Sequence, residues 1–234
     1  MNFGEKYLSL LDEAKEISGN NNISLVAVSK KHPFSTLEAA YKQGIRLFGE
    51  NSVQEGNSKW QEFQSIYPEQ FSDQANNKDK PIFHHIGPLQ SGNVKKIVAV
   101  FDTVHGLGSW GAWKDLSKRT VSEEKLINYL LQFNLSKEDS KHGFDITQLD
   151  EILIKIKDYS HDFCKFTGLM TMGPSDGDPI LTRKVFKELR KIRDEFFPQS
   201  LLSMGMSGDY KIALEEGSNI IRIGTAIFGE RNYG

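Results

Sequence analysis

Apolar, β-rich runs recur along the whole chain, and stretches of helical period separate them. The strand candidates are "ISLVAVS" (23–29), "IRLFG" (45–49), "IFHHIG" (82–87), "FDTVHG" (101–106), "LINYLLQFN" (126–134), "CKFTGLM" (164–170), "SLLSMG" (200–205) and "NIIRIG" (219–224). Helix candidates between them include "FSTLEAAYKQG", "SVQEGNSKWQEFQ", "LQSGNVKKIVA", "TQLDEILIKIKD" and "LTRKVFKELRKIRDEFF". In the last, Val185, Phe186, Leu189, Ile192, Phe196 and Phe197 form a core-facing stripe. An amphipathic helix precedes the first strand, with Tyr7, Leu8, Leu11 and Ala14 on one side. The segment 67–81 is polar and unpatterned and reads as a surface loop.

Eight strands alternating with helices predict an α/β fold of the (β/α)8 TIM-barrel type. The expectation is a single domain over 1–234 with an extra N-terminal helix. An open, doubly wound sheet is the competing architecture. In a barrel, the polar residues that follow each apolar run converge on one rim. They are Lys30, Gly49–Glu50–Asn51, His84–His85, His105, Asn134, Thr171, Met206–Ser207, and Arg222 with Gly224–Thr225.

Charge and cysteine content narrow the partners. Lys plus Arg (29) nearly balances Asp plus Glu (31), which argues against non-specific nucleic-acid binding. Cys164 is the only cysteine, so neither an internal disulfide nor a thiolate metal cluster can form, and its place at a strand start reads as packing. The N-terminus has no signal-peptide pattern and no stretch approaches a membrane span. A cytoplasmic protein, monomeric rather than oligomeric, without nucleic-acid or membrane partners, is the expectation.

The first strand ends in two lysines. Strand alternation puts Val26, Val28 and Lys30 on one face and Ala27, Ser29 and Lys31 on the other, so one lysine of the pair faces the barrel axis. A lysine in a partly desolvated barrel mouth loses stability in its charged form, and the free amine is then available for Schiff-base chemistry; Lys30 is the choice. "FGENSVQE" turns a strand into a helix through Gly49, with Ser52 and Glu55 as a capping box, and places Asn51 at the rim. The histidines of "FHHIG" point to opposite faces, and no third ligand stands at metal-binding spacing.

Near the end of the chain, "SMGMSGD" and "RIGTAIFGE" combine small residues with the hydroxyls of Ser207 and Thr225, a pattern that admits a phosphate, and Asp209–Tyr210 would add helix-terminal N–H groups. Arg222, between Ile221 and Ile223, requires a partner inside the barrel, either a structural anion or a ligand. A lysine at the first strand, a phosphate cradle after the last two and an arginine in the eighth together suggest pyridoxal 5'-phosphate.

These words also resemble a known family. "AVSK" (27–30), "FGEN-VQE" (48–55), "H-IGPLQ" (84–90), "GLMTMGP" (168–174), "LSMGMS-D" (202–209) and "GS--IRIGTAIFGER" (217–231) run in the order found in the pyridoxal-phosphate homeostasis proteins. The fold of that family is that of the alanine racemase N-terminal domain. The resemblance implies Lys30 as the aldimine lysine, with Ser207, Gly224 and Thr225 at the phosphate. It implies Arg222 at the pyridine nitrogen and Asn51 near the ring, with His84 and Met206 as further pocket residues. Asn134 and Lys141 are pocket neighbours on the same ground. This chain departs from the family pattern at Phe83, where tryptophan is usual, at His85, at Gly208 and through "QSGNVKK".

The implied function is intracellular cofactor homeostasis, with pyridoxal phosphate, its apoenzymes and amino acids as partners. An arginine donor keeps the ring nitrogen unprotonated and makes a weaker electron sink. Racemases of the resembling fold carry a tyrosine base in a further domain, whereas this sequence has only Tyr233 near its end, so a non-catalytic role is expected. The alternatives are a pyridoxal-phosphate-dependent racemase and a cofactor-free Schiff-base aldolase.

Overall fold

Each strand pairs in parallel with the next, and the last returns to the first, so the apolar runs close on themselves instead of leaving two edges. The computed structural model describes residues 2–71 and 78–230. Among them the barrel strands are β1 (Ser24–Val28), β2 (Leu47–Glu50), β3 (Ile82–Pro88) and β4 (Thr103–Leu107), followed by β5 (Ile127–Gln132), β6 (Cys164–Met170), β7 (Leu201–Ser203) and β8 (Ile220–Ile223). Closure excludes the open sheet.

The N-terminal helix is α1 (Phe3–Ser18). The helices after the strands are α2 (Phe34–Lys42), α3 (Val53–Ile66), α4 (Val94–Val100), α5 (Trp110–Ser122), α6 (Leu149–Tyr159), α7 (Pro179–Phe196), α8 (Tyr210–Glu215) and α9 (Thr225–Phe228). Local chemistry sets their ends. Asp178 accepts from the N–H groups of Ile180 and Leu181, with Pro179 opening α7. Gly19 closes α1 in the left-handed region at φ 62°.

Two helices, α5 and the short α9, were not among the sequence candidates. In α5 the buried face mixes Ala112, Trp113 and Leu116 with Ser117 and Thr120, which dilutes its apolar period. Two stripe assignments also change: Leu8 and Phe196 face solvent, while Ala14 and Phe197 are buried. The segment 67–81 is not wholly irregular, since Pro68–Phe71 forms a 3₁₀ turn that sets Phe71 edge-on to Trp60 at 4.8 Å. Residues 72–77 of that segment lie outside the described residues. No helix among the described residues is long and apolar enough to cross a membrane.

Most of the core lies between barrel and helices, where Phe48, Phe63 and Phe83 meet one another, Phe83 meets Trp60, and Trp113 meets Tyr129. Cys164 is buried in this layer, and burial pushes its thiol up to about 12, which suits packing and not nucleophilic chemistry. Inside the barrel, Val26, Leu130, Met170 and Ile220 form a smaller apolar plug. The functional end begins above it.

Glycine enforces the closest strand approach. A Cβ on Gly106 would stand 2.0 Å from the Gly87 carbonyl oxygen, a distance no side chain tolerates. Gly106→Ala is expected to destabilise the fold by about 1–3 kcal/mol through displaced backbone, as measured by urea denaturation.

Candidate functional site

Alternation along β1 decides what faces inward. Val26 belongs to the interior plug, and Val28 and Lys30 line a cavity of about 250 Å³ at the C-terminal mouth of the barrel. Ser29 turns outward, and Lys31 is exposed with its backbone in the left-handed region at φ 63°. Met170 and Met172 add apolar wall, while Ile86 and Pro88 enter from β3. Asn51, Met206, Ser207, Gly224 and Thr225 complete the rim expected from the sequence. At Gly208 an added Cβ would meet nothing within 4 Å, so the rim is open there.

Arg222 lines the cavity with its guanidinium buried. Burial lowers it to about 10, which leaves it protonated at neutral pH. Its Nη1 donates to Ser203 Oγ at 2.5 Å and its Nη2 to the Thr171 carbonyl at 3.4 Å. Among the described residues no carboxylate forms an ion pair with it. A guanidinium has five N–H donors, so its remaining donors suit an acceptor inside the cavity.

The same hydrogen-bond logic runs deeper. Ser203 Oγ, already accepting from Arg222, lies 2.9 Å from His105 Nδ1, and His105 Nε2 lies 2.9 Å from His84 Nδ1. Because guanidinium only donates, Ser203 Oγ accepts from it and keeps its own proton to offer His105 Nδ1. In that tautomer His105 carries its proton on Nε2 and donates to His84. Burial lowers His84 to about 4 and holds His105 well below its ordinary value, so both rings are neutral. One cation, at the cavity end, heads a chain of neutral groups.

Behind β1, on the helix side, lies a second polar cluster. Lys59 Nζ donates to Glu50 Oε1 and Glu55 Oε1, each at 2.6 Å, and to the Ser29 carbonyl at 2.8 Å. Ser29 Oγ donates to Glu50 Oε1 at 2.5 Å. With three acceptors and 4 % exposure, Lys59 is unavailable as a nucleophile. Burial raises Glu50 to about 7 despite the adjacent ammonium.

Several expected residues sit elsewhere. His84 does not line the cavity: it lies two residues below Ile86 on the inward face of β3 and reaches the site only through His105, Ser203 and Arg222. His105 lies in the same hydrogen-bonded chain, and Thr171, between the cavity-lining Met170 and Met172, does not line the cavity and donates its hydroxyl to the Phe133 carbonyl. Glu50 and His85 point to the helix layer, His85 edge-on to Phe101. Asn134 caps its own loop by donating to the carbonyls of Glu138 and Lys141. Lys141 does line the cavity, with Nζ held by Glu138 Oε1 and the Gly173 carbonyl.

The Asp209 and Tyr210 N–H groups are not offered to the cavity, because both donate to the Met206 carbonyl. The capping box is half formed: Ser52 accepts from the Glu55 N–H, but the Glu55 carboxylate turns to Lys59. Sequence reasoning also missed Gln132, which lines the cavity and donates to the His142 carbonyl, and Lys59. Lys59 had a signal: it falls with Gly56, Trp60 and Phe63 on the buried stripe of α3, where a cation requires partners.

The model of the family "Alanine racemase, N-terminal domain" matches residues 11–232. A pyridoxal phosphate homeostasis protein of Vibrio alginolyticus is 35% identical over 229 residues, covering 95% of this chain and 92% of that protein. A protein of the same name from Escherichia coli is 32% identical over 215 residues, covering 90% and 87%. Among solved structures, PipY of Synechococcus elongatus with pyridoxal phosphate bound superposes with a TM-score of 0.80 at 29% identity, covering 97% of this chain and all of that one. An alanine racemase from Clostridium difficile shares the fold at 12% identity and a TM-score of 0.71, covering 99% of this chain and 60% of that one.

The buried groups set opposing pH slopes. An imidazole lowered from 6.5 to about 4, as at His84 and His85, is protonated more readily in the unfolded chain, so stability rises with pH across that range. Glu50, raised from 4.5 to about 7, holds its proton more readily in the folded chain, so its contribution falls as pH rises between those values. The depressed imidazoles of His84, His85 and His105 outweigh the carboxyls of Glu50 and Asp102, both raised by burial. Urea denaturation is expected to show lower stability at pH 5 than at pH 7, and Glu50→Gln is expected to steepen that loss.

Proposed function

We propose, because the chain belongs to the pyridoxal phosphate homeostasis proteins within the alanine racemase N-terminal-domain family, that it captures pyridoxal 5'-phosphate through Lys30 and holds it for exchange. When bound, that group supplies an aldehyde, which amines capture reversibly. The observation that carries the reading is Arg222, a buried guanidinium in the cavity wall with no paired carboxylate among the described residues, in the same cavity as Lys30. A pyridine nitrogen is the neutral acceptor this cation fits, and an amine is what an aldehyde requires.

The rest of the donor set fits the same group. Ser207 and Thr225 bring hydroxyls to the rim beside Gly224, where an anionic phosphate is both accessible and solvated. Val28, Ile86, Met170 and Met172 supply apolar walls for the faces of a flat ring. Asn51 stands at the rim over β2 as a neutral donor and acceptor. Lys31 faces solvent and Lys59 is committed to three acceptors, which leaves Lys30 as the amine of the β1 side.

The site is built for retention and not for turnover. Arg222 donates to whatever acceptor it meets and does not readily protonate it, which keeps an aromatic nitrogen neutral and weakens electron withdrawal. The neutral His84–His105 pair behind Ser203 holds no spare proton at neutral pH to change that. Across the mouth from β1, the Lys141 ammonium is tied to Glu138 and the Gly173 carbonyl. A racemase would instead need a base on that face.

Borohydride reduction of protein loaded with pyridoxal phosphate, followed by peptide mass mapping, is expected to place the pyridoxyl mass on Lys30. An adduct on another residue, with Lys30 unmodified, overturns the assignment. In deuterated buffer, alanine incubated with loaded protein is expected to keep its α-proton. Rapid exchange that disappears in Lys30→Ala would make the protein an enzyme.

A further inference from the structure

Lys30 is one residue in a short turn, and the backbone groups on both sides of it are held from the same helix. On the N-terminal side, the Ser29 carbonyl accepts from Lys59 Nζ at 2.8 Å. On the C-terminal side, the Lys31 N–H donates to Glu55 Oε1 at 2.5 Å. Glu55 and Lys59 are four residues apart on α3, one turn of helix, and are bonded to each other at 2.6 Å. Glu50, fully buried at the end of β2, fixes the Lys59 ammonium and the Ser29 hydroxyl together.

The turn needs this holding. Lys31 adopts φ 63°, a left-handed conformation that a side chain with a Cβ disfavours and glycine adopts freely. A non-glycine residue stays there only where its surroundings over-determine it. The bond from its N–H to a carboxylate is charge-assisted, the stronger class of hydrogen bond. The alternation that sends the Lys30 side chain into the cavity depends on Ser29 and Lys31 keeping their backbone directions.

We infer that Glu55 and Lys59 are positioning residues for Lys30: a clamp from α3 that grips the backbone on either side of the reactive lysine and holds its amine toward the cavity. Neither side chain lines the cavity, so each acts through the turn and not on the ligand. This rests on the reading of Lys30 as the capturing amine. The clamp also accounts for a buried cation and two carboxylates on the helix side of the barrel, where an apolar contact would cost less desolvation.

The test uses the full chain, pyridoxal phosphate as probe, and absorbance titration followed by reduction and peptide mapping. Glu55→Ala removes the acceptor from a half-buried position on a helix and is expected to weaken capture about tenfold, equivalent to about 1.4 kcal/mol. Glu55→Gln keeps an acceptor and is expected to lose less. The decisive variant is Lys31→Gly in the Glu55→Ala background. Glycine holds the left-handed turn without the clamp, so capture is expected to return to within about threefold of the unaltered protein.

A merely structural role for Glu55 would not be rescued by Lys31→Gly. Lys59→Met combined with Glu50→Gln removes the buried charges together, and circular dichroism checks its fold; about tenfold weaker capture is expected. Unchanged capture in Glu55→Ala, or a loss that Lys31→Gly does not restore in a natively folded protein, overturns the clamp while leaving Lys30 as the amine. An adduct that maps off Lys30 in the unaltered protein overturns both readings.

Discussion

The parallel ladder between β8 and β1 is the contact on which the site depends. It sets Val26 opposite Arg222 and Ala27 opposite Ile223, so the two ends of the barrel sequence become neighbours. Beyond it the backbones stay close: a Cβ on Gly224 would lie 2.9 Å from the Val28 carbonyl oxygen. That approach puts the Gly224–Thr225 turn beside the turn that carries Lys30. An open sheet with the same strands would leave an amine at one edge and a guanidinium at another. Closure makes them walls of one cavity.

The ladder also imposes a cost. Closing eight strands buries or half-buries the inward side chains, and above the apolar plug several of these are polar. The molecule meets that cost differently on the two sides of β1. Outside, Lys59 meets Glu50, Glu55 and Ser29 with opposite charges in contact, although Glu50 Oε2 stays buried without a partner. Inside, among the described residues Arg222 bonds a hydroxyl and a carbonyl and forms no ion pair, with Asp209 attracting it from farther off, and the chain behind it ends in neutral imidazoles. A buried cation without a carboxylate in contact is tolerated where some of its donors reach a cavity that solvent or ligand can fill. The charge-paired cluster therefore reads as scaffold and the open one as binding surface.

Much of this was legible in the sequence because it rests on local period. All eight strands lie within or beside their apolar runs, and the alternation of "VAVSKK" correctly separates an inward Lys30 from an outward Lys31. Arg222 stood out because two isoleucines flank it in a strand. What stayed hidden depends on depth and on long-range partners. His84 and Ile86 share a face of β3, yet only Ile86 lies high enough to meet the cavity, and strand period carries no height. Glu55 was legible as a helix cap, but its carboxylate answers to Lys59 and to the N–H of Lys31, which lies twenty-four residues away in sequence. α5 escaped because serine and threonine interrupt its buried face.

The two lysines at the end of β1 illustrate how one backbone constraint divides labour between chemically equal side chains. Both ammonium groups have the same intrinsic chemistry, so their difference is geometric. Lys30 follows the inward face of the strand, and Lys31 takes the left-handed turn that carries the chain out toward Pro33 and α2. A barrel strand must turn sharply at its mouth to reach its helix, and the residue that makes the turn cannot also project along the strand's inward face. A cavity-facing residue and a turning residue are therefore adjacent. The polar cluster on α3 lies against that junction, where a small change of backbone angle would swing the Lys30 amine out of reach of Arg222's cavity.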